Sequence, residues 1–322
     1  MWQTFLENFS LVMDYTQVHS TIRSSMPILY ATMACILTQQ ADILNVGVEG
    51  IMLCGAFTAV AVSYFSGSWV LALLAAVVVG VVMAAVMAVA HLRYKADIFV
   101  VGMGVNMLAL ALTRLLLDRL LHASGSFLDK GIVPMPRIHL TFLEGNEVLS
   151  SLFSDYSLFE PLGLLLVLFL QWLLYRTVWG LRLRSVGLHP LAAATAGISV
   201  FRRKFEVMLY SGVLGGVAGA YLSLGYSRMF AENMTNGRGF MGVAAMFFGG
   251  GDPLRSALGC FIFGFTDSVG ARLQSLGFPS QFILMIPYVA TIAVLAAAMI
   301  RKDWARKRAR SALTGADEGG KA

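Results

Sequence analysis

A few carboxylate and amide side chains lie inside otherwise apolar stretches of this sequence, and they are the first candidates for chemistry. The run ADILNVGVEG contains Asp42, Asn45 and Glu49 together with Gly47 and Gly50. A carboxylate in a membrane interior costs about 2.5–3.5 kcal/mol, so it usually faces a cavity or a partner, and glycine permits a helix to break. The run therefore predicts a discontinuous helix with Asn45 and Glu49 on a solute path. The alternative is that Asp42 and Glu49 cap helices at the membrane interface.

A second glycine-rich stretch, NGRGFMGVAAMFFGGGDP, occupies residues 236–253 in the other half of the chain. Its apolar part, Gly239 to Gly251, is too short to cross a membrane as a regular helix, which needs about 20 residues. Short glycine-interrupted segments in corresponding places of two halves are typical of transporters with an internal repeat. The residue identities do not repeat, so we predict topological symmetry only. Phe247 and Phe248 are candidate apolar walls of the path or stacking partners of a planar ligand; the alternative is internal packing.

A third polar candidate is Asn106, which ends the glycine-rich run GMGVN at residues 102–106. An amide offers both donors and acceptors to a neutral solute, so we predict that Asn106 lines the same path as Asn45 and Glu49. The alternative is a hydrogen bond between two helices, which amide side chains form within membranes.

The segment from Arg176 to Lys204 is strongly basic and contains a short helix. Pro190 suits the first position of a helix, the alanines that follow favour it, and Gly197 suits its end. A short helix in a basic loop indicates a surface that docks onto a partner protein, and the alternative is a plain connector at the interface. The residues that we assign to this docking helix are Pro190, Leu191, Ala192, Ala193, Thr195 and Gly197.

The composition of the chain indicates which kind of secondary structure carries these residues. About 57% of the residues are hydrophobic and 13% are charged, which a soluble fold cannot accommodate. The apolar runs are long, without the period-two alternation of a barrel, so the fold class is an all-α membrane protein. We expect about eight transmembrane spans, one short or discontinuous, in pseudo-symmetric inverted halves. The predicted apolar segments are 24–41, 50–66, 69–90, 98–113, 161–175, 207–227, the short 239–251, 256–271 and 273–300.

Lys and Arg in short loops predict the orientation. The loop with Arg93 and Lys95, the basic segment 176–204 and the tail 301–322 are expected to be cytoplasmic, which puts residues 118–157 outside. Residues 1–25 are predicted to form an interfacial helix and 26–300 a single transmembrane domain. The net charge of +6 results mostly from this enrichment of Lys and Arg in the loops and the tail, and it does not indicate a nucleic-acid partner.

Several chemistries lack their sequence signatures. The chain has no G-x-x-x-x-G-K-[ST] phosphate loop, no C-x-x-C or H-x-x-x-H pair and no G-x-S-x-G elbow. Cys35, Cys54 and Cys260 all fall in apolar stretches, where inert buried thiols are expected. We therefore expect neither an enzyme nor a metal or cofactor site in this chain. A passive or ion-coupled carrier stays open as the rival from a different class.

Three motifs resemble the permeases of branched-chain-type ABC importers. They are the run from Asn45 to Phe57, the run from Gly180 to Ile198 and the run from Gly237 to Gly249. The resemblance extends from about Met26 to Ile300, and is closest to the subfamily of nucleoside uptake and the shorter of its two paired permeases. Sugar-type relatives carry a serine-containing signature at the place of Asn45 to Gly50, which argues against a ribose permease.

The resemblance implies partners and a mechanism. It implies a second homologous permease in a heterodimer, a tandem ABC ATPase that holds ATP and Mg, and an extracytoplasmic substrate-binding lipoprotein, all at a bacterial cytoplasmic membrane. It also implies that the helix from Pro190 to Gly197 couples to the ATPase and that nucleosides move inward by alternating access. Riboflavin or another purine-like solute stays open as the cargo.

Overall fold

The structure is a computed structural model that describes residues 15–138 and 156–275, and it is almost entirely helical. The predicted last span, 273–300, the tail and residues 1–14 therefore lie wholly or mainly outside the described part. The ten helices of the described part are α1 (Tyr15–Gln39), α2 (Val48–Ser66), α3 (Trp69–Leu92), α4 (Ile98–Leu121), α5 (Phe159–Arg176), α6 (Val178–Leu188), α7 (Pro190–Thr195), α8 (Val200–Ala220), α9 (Arg238–Phe248) and α10 (Pro253–Ser275).

The first described helix is longer than the sequence predicts. Helix α1 runs without a break from Tyr15 through residue 25 to Gln39. The described part of the predicted interfacial helix is therefore continuous with the first apolar stretch. Arg23 lies inside this helix and does not end it, because its guanidinium finds partners on a neighbouring element, the carbonyls of Gly225 and Tyr226.

Among the described residues, five helical segments are long and apolar enough to cross a membrane: Val48–Ser66, Trp69–Leu92, Ile98–Leu121, Phe159–Arg176 and Val200–Ser227. Helix α9 is a shorter apolar helix of 11 residues, as the sequence predicts. Helices α1 and α10 have 25 and 23 residues, about 35 Å or more at 1.5 Å per residue, but polar side chains dilute their hydropathy. The chain is a multi-pass membrane protein, while the total of about eight spans stays a prediction.

Helix α8 packs at the centre of the bundle through its glycines. A Cβ on Gly212 would lie 2.5 Å from the carbonyl oxygen of Gly80, and one on Gly216 would lie 2.5 Å from that of Ala76. Gly219 approaches the Met52 carbonyl on α2 just as closely. Small residues let helix backbones touch in a membrane, so this glycine face serves packing within the subunit.

Helix α8 continues into a π-helical segment, Tyr221–Ser227. Four short strands lie near it: β1 (Ser126–Phe127) pairs antiparallel with β4 (Phe230–Ala231), and β2 (Arg137–Ile138) pairs antiparallel with β3 (Tyr156–Ser157). We call this the strand end of the bundle.

The opposite end, which we call the basic end, holds α6, α7 and the start of α8. Here the Gln40 side chain donates to the Gly251 carbonyl at 2.9 Å. Gly187 also lies against the backbone of Gln40. Residues 118–138 lie at the strand end, and residues 176–204 lie at the basic end.

Candidate solute pathway

Two helices begin at the same place inside the bundle. After α1 ends at Gln39, the chain turns back, and the Ile43 N–H donates to the Thr38 carbonyl at 3.0 Å. Helix α2 then starts at Val48, beside the start of α9 at Arg238. This is the discontinuity that the glycine-rich runs predict, and the structure brings the two runs together.

Glu49 joins these two helix starts. Its carboxylate accepts hydrogen bonds from the backbone N–H of Gly237 at 2.8 Å and of Gly239 at 2.6 Å. The N–H groups of a first helical turn lack partners within the helix and carry a positive partial charge. Glu49 is 8% exposed, so one buried carboxylate compensates the start of α9 while belonging to the first turn of α2.

The junction lies near the middle of the bundle. Helix α9 runs alongside α1: Gly251 is level with Gln40, and a Cβ on Gly242 would touch Ala31 and Thr32. Gly239 is three residues before Gly242, about 4.5 Å further from the basic end. Its contact with Glu49 therefore lies close to the midpoint of α1. Transporters with broken helices hold their substrates at about this depth, near the middle of the membrane.

Asn106 secures the backbone at the start of α2. Its Oδ1 accepts from the Gly50 N–H at 2.8 Å, and its Nδ2 donates to the Val46 carbonyl at 3.1 Å. The structure thus contains the interhelical hydrogen bonds that the sequence offered as the alternative role.

Asn45 reaches a different helix. Its Nδ2 donates to Ser211 on α8 at 2.7 Å, while its Oδ1 is buried with no hydrogen-bond partner among the described residues. Asn45 is 1% exposed. Of the three predicted polar residues, it is the one with an unused acceptor.

The two phenylalanines face different surroundings. Phe247 is 52% exposed. The ring of Phe248 lies 3.0 Å from where a Cβ on Gly259 would stand, so it packs against α10. They share the end of α9 with Gly250 and Gly251, whose φ angles are +64° and +78°.

Sequence reasoning did not find the ion pair beside the junction. Arg238, the first residue of α9, donates to Asp267 on α10 at 2.8 Å, with side chains 15% and 20% exposed. Its guanidinium also lies 6.0 Å from the Tyr226 ring. The available signal was one Arg directly before the short apolar segment 239–251 and one Asp inside the next apolar segment, 256–271.

The predicted docking helix is present as α7. It spans Pro190–Thr195 with Pro190 at its start, and Gly197 follows with a φ of +80°. Leu191 is 85% exposed, whereas Ala193 is buried against the protein. The Leu191 side chain is therefore accessible to another protein.

Comparison with known proteins decides what this arrangement belongs to. A family model described as "Branched-chain amino acid transport system / permease component" matches residues 17–297, which include the helix starts, the docking helix and all the predicted pathway residues. The chain belongs to this permease family. No solved structure matches the permease.

The permease is similar to several curated transport proteins. The guanosine ABC transporter permease protein NupQ of Bacillus subtilis (strain 168) is 31% identical over 308 residues, 90% of this chain and 96% of the relative. The nucleoside ABC transporter permease protein NupC of Lactococcus lactis subsp. cremoris is 34% identical over 288 residues, 84% and 88% of the two chains. The putative glucose ABC transporter permease protein TsgC13 of Haloferax volcanii is 30% identical over 318 residues, 92% and 95% of the two chains.

Proposed function

We propose that this permease is the membrane subunit of an ATP-driven importer that moves nucleosides into a bacterial cell. The observation that carries the proposal is the junction at Glu49, where α2 and α9 both begin near the middle of the bundle. Such half-helices allow one part of a transporter to rock against another around a central site. The nucleoside cargo is supported by the names of NupQ and NupC.

In this proposal the energy comes from partner subunits that bind ATP and Mg, which the ABC transporter names of NupQ and NupC support. Helix α7 is the proposed contact: Pro190, Gly197 and the alanines between them shape it, and Leu191 projects from it. Closure of the ATPase would push this helix and tilt the bundle. The chain itself would act as a permease without enzymatic activity or a cofactor of its own.

The proposed assembly contains a second, related permease, a tandem ATPase and an extracytoplasmic binding lipoprotein. Bacillus subtilis has another guanosine permease, NupP, that is also similar to this chain, which supports a heterodimer. We assign the basic end and the C-terminal tail to the cytoplasm, because Arg and Lys are enriched there. The strand end then faces the binding lipoprotein, at the cytoplasmic membrane.

Within the pathway, the polar residues take different roles in this proposal. Glu49 and Asn106 hold the helix starts in place, and Asn45 offers its unused Oδ1 to the solute when the bundle opens. Phe247 and Phe248 form apolar walls near the basic end of α9. Riboflavin or another purine-like solute is the alternative cargo for the same class of transporter.

The test is uptake of radiolabelled guanosine by cells that lack other nucleoside carriers and express the complete transporter. A variant has residues 190–197 replaced by a Gly/Ser linker. We expect ATP-dependent uptake that the replacement abolishes. Uptake by this chain alone, indifferent to ATP and to the linker, would identify an ATPase-independent carrier instead. Uptake of riboflavin but not guanosine would retain the class and change the cargo.

A further inference from the structure

We propose that a cavity at the strand end of the permease binds the sugar part of the nucleoside before it reaches the junction at Glu49. The cavity lies among α1, the π-helical segment and α10, and its volume is about 290 Å³. Because three serines line it, we call it the serine cavity. Its polar lining residues are Ser20, Arg23, Ser24, Tyr226, Ser268 and Arg272. The inference rests on the proposed function and names where that cargo is recognised.

The hydrogen bonds at the junction are the first reason to look beyond it. Both Glu49 oxygens and both polar atoms of the Asn106 amide already bind backbone groups. A substrate would have to share these atoms with the backbone groups that they hold at the two helix starts. Asn45 keeps one acceptor atom without a partner among the described residues, which is too little to recognise a ribose and a base. A second set of polar groups along the path would supply the remaining contacts.

The serine cavity supplies hydroxyl groups held by neighbouring side chains. Ser24 and the Tyr226 hydroxyl share a hydrogen bond of 3.1 Å. On the α10 side, Gln17 donates to the Ser268 hydroxyl at 3.2 Å. Gln17 is 3% exposed, and its Oε1 has no hydrogen-bond partner among the described residues. Hydroxyls both donate and accept, which suits the hydroxyl groups of a ribose.

Arg23, one of the two arginines that line the cavity, already has protein partners. It lies 3.8 Å from Glu160 and donates to the carbonyls of Gly225 and Tyr226 on the π-helical segment. Beside the cavity, Arg238 pairs with Asp267 at 2.8 Å. An anionic ligand that paired with Arg23 would have to displace a buried carboxylate, Glu160. A nucleoside requires no such exchange.

The cavity also lies close to the junction. Asp267 precedes Ser268 on α10, and its partner Arg238 is the first residue of α9, next to Gly237 and Gly239. The Tyr226 ring lies 5.6 Å from the guanidinium of Arg23 and 6.0 Å from that of Arg238. Arg238 and Asp267 therefore lie between the serine cavity and Glu49, so a solute that leaves the cavity inward meets the junction next.

The test uses thiol labelling of the complete transporter in intact cells. The native cysteines are buried at 1%, 3% and 0% exposure, so they give little background. Ser20→Cys on α1 and Ala271→Cys on α10 place thiols in the cavity wall. The control is Ser66→Cys, an exposed position at the end of α2 whose hydroxyl bonds to its own helix. A membrane-impermeant methanethiosulfonate reagent is added with and without guanosine.

We expect guanosine to slow the labelling of both cavity thiols but not of Ser66→Cys. At ten times its dissociation constant, a ligand leaves about one site in ten free, so the slowing should be about tenfold. In uptake assays, Ser24→Ala and Ser268→Ala should raise the guanosine concentration needed for half-maximal uptake, and Ser66→Ala should not.

Two outcomes would overturn the serine cavity as a binding site. In the first, guanosine does not slow the labelling of either thiol, although the variants still import guanosine. In the second, neither thiol is labelled in variants that still import guanosine, which would show that the cavity does not open to solvent. Neither result would affect the proposed function. Failure of the unmodified transporter to import guanosine would instead reject the proposed function, so the two failures are distinguishable.

Discussion

Both oxygens of Glu49 accept backbone hydrogen bonds from the start of α9, while its own backbone lies in the first turn of α2. Sequence reasoning identified this residue because a carboxylate inside an apolar segment is costly. The structure adds that its partners are N–H groups of the same chain. A carboxylate between two helix starts holds them together, so its loss would release both helices. A rocking motion can pivot at such a connection.

We therefore predict that Glu49→Ala destabilises the permease strongly. The substitution leaves the buried Gly239 N–H and the part-buried Gly237 N–H without their acceptor, at about 1–3 kcal/mol for a fully buried group. Glu49→Gln retains one acceptor oxygen and should lose less. The measurement is the melting temperature of the purified transporter in detergent. Equal melting temperatures for the unmodified protein and Glu49→Ala would contradict the assigned role.

Asn106 offers a second prediction at this scale. Asn106→Leu removes the acceptor for the Gly50 N–H and the donor for the Val46 carbonyl, so stability should fall by about 1–3 kcal/mol or more. The adjacent Met107 is 67% exposed, and Met107→Leu is the matched control that should leave melting unchanged. A similar effect of both substitutions would mean that the amide contacts contribute nothing specific.

At the scale of elements, the packing of α8 against α3 depends on the absence of side chains. A Cβ on Gly212 would lie 2.5 Å from the Gly80 carbonyl oxygen and 2.6 Å from the Ala84 Cβ. On α4, by contrast, Gly104 has no atom within 4 Å of the position of a Cβ. Replacing each of these two glycines with alanine therefore isolates the effect of helix contact, because only Gly212 lies against a neighbouring helix.

Gly212→Ala should separate the helices and cost about 1–3 kcal/mol, the usual range for overpacking. Gly104→Ala should be neutral or slightly stabilising, because alanine favours a helix more than glycine does. The yield and melting temperature of detergent-purified protein measure both. If the two variants behave alike, the close approach of α3 and α8 is not maintained in the membrane.

Helix α7 gives a prediction about coupling. Leu191 is 85% exposed, so Leu191→Asp should leave folding intact while placing a charge at the proposed ATPase contact. We expect at least a tenfold loss of guanosine uptake, equivalent to about 1.4 kcal/mol. The control is Leu191→Met, which keeps an uncharged apolar side chain at the same position and should import guanosine normally. Undiminished uptake by Leu191→Asp would exclude Leu191 from the coupling surface.

For the molecule as a whole, the decisive property is which end faces the cytoplasm. The strand end and the basic end carry exposed leucines that can be exchanged for cysteine, Leu128 at 72% and Leu188 at 78% exposure. An impermeant thiol reagent added to intact cells should label Leu128→Cys, and should label Leu188→Cys only after the cells are opened. The reverse pattern would invert the proposed orientation and place α7 outside.

The helix boundaries show which features neighbouring residues alone do not predict. The sequence gives the start of α3 and α4 correctly, at Trp69 and Ile98. It ends the span of α4 at Thr113, before Arg114, whereas the helix continues to Leu121. The Arg114 guanidinium lies 3.6 Å from Glu232, a partner from a distant part of the chain. Charges are unreliable as helix boundaries when tertiary partners compensate them.

The sequence by itself determined the helical membrane class, the two glycine-rich breaks and the short helix that begins at Pro190. These features follow from hydropathy and backbone preference, which act over a few neighbouring residues. Only the tertiary structure decided which groups meet, such as Glu49 with Gly237 at a separation of 188 residues, Arg238 with Asp267, and the walls of the serine cavity. Hydrogen bonds and ion pairs between helices depend on how those helices pack, and no local pattern encodes that arrangement.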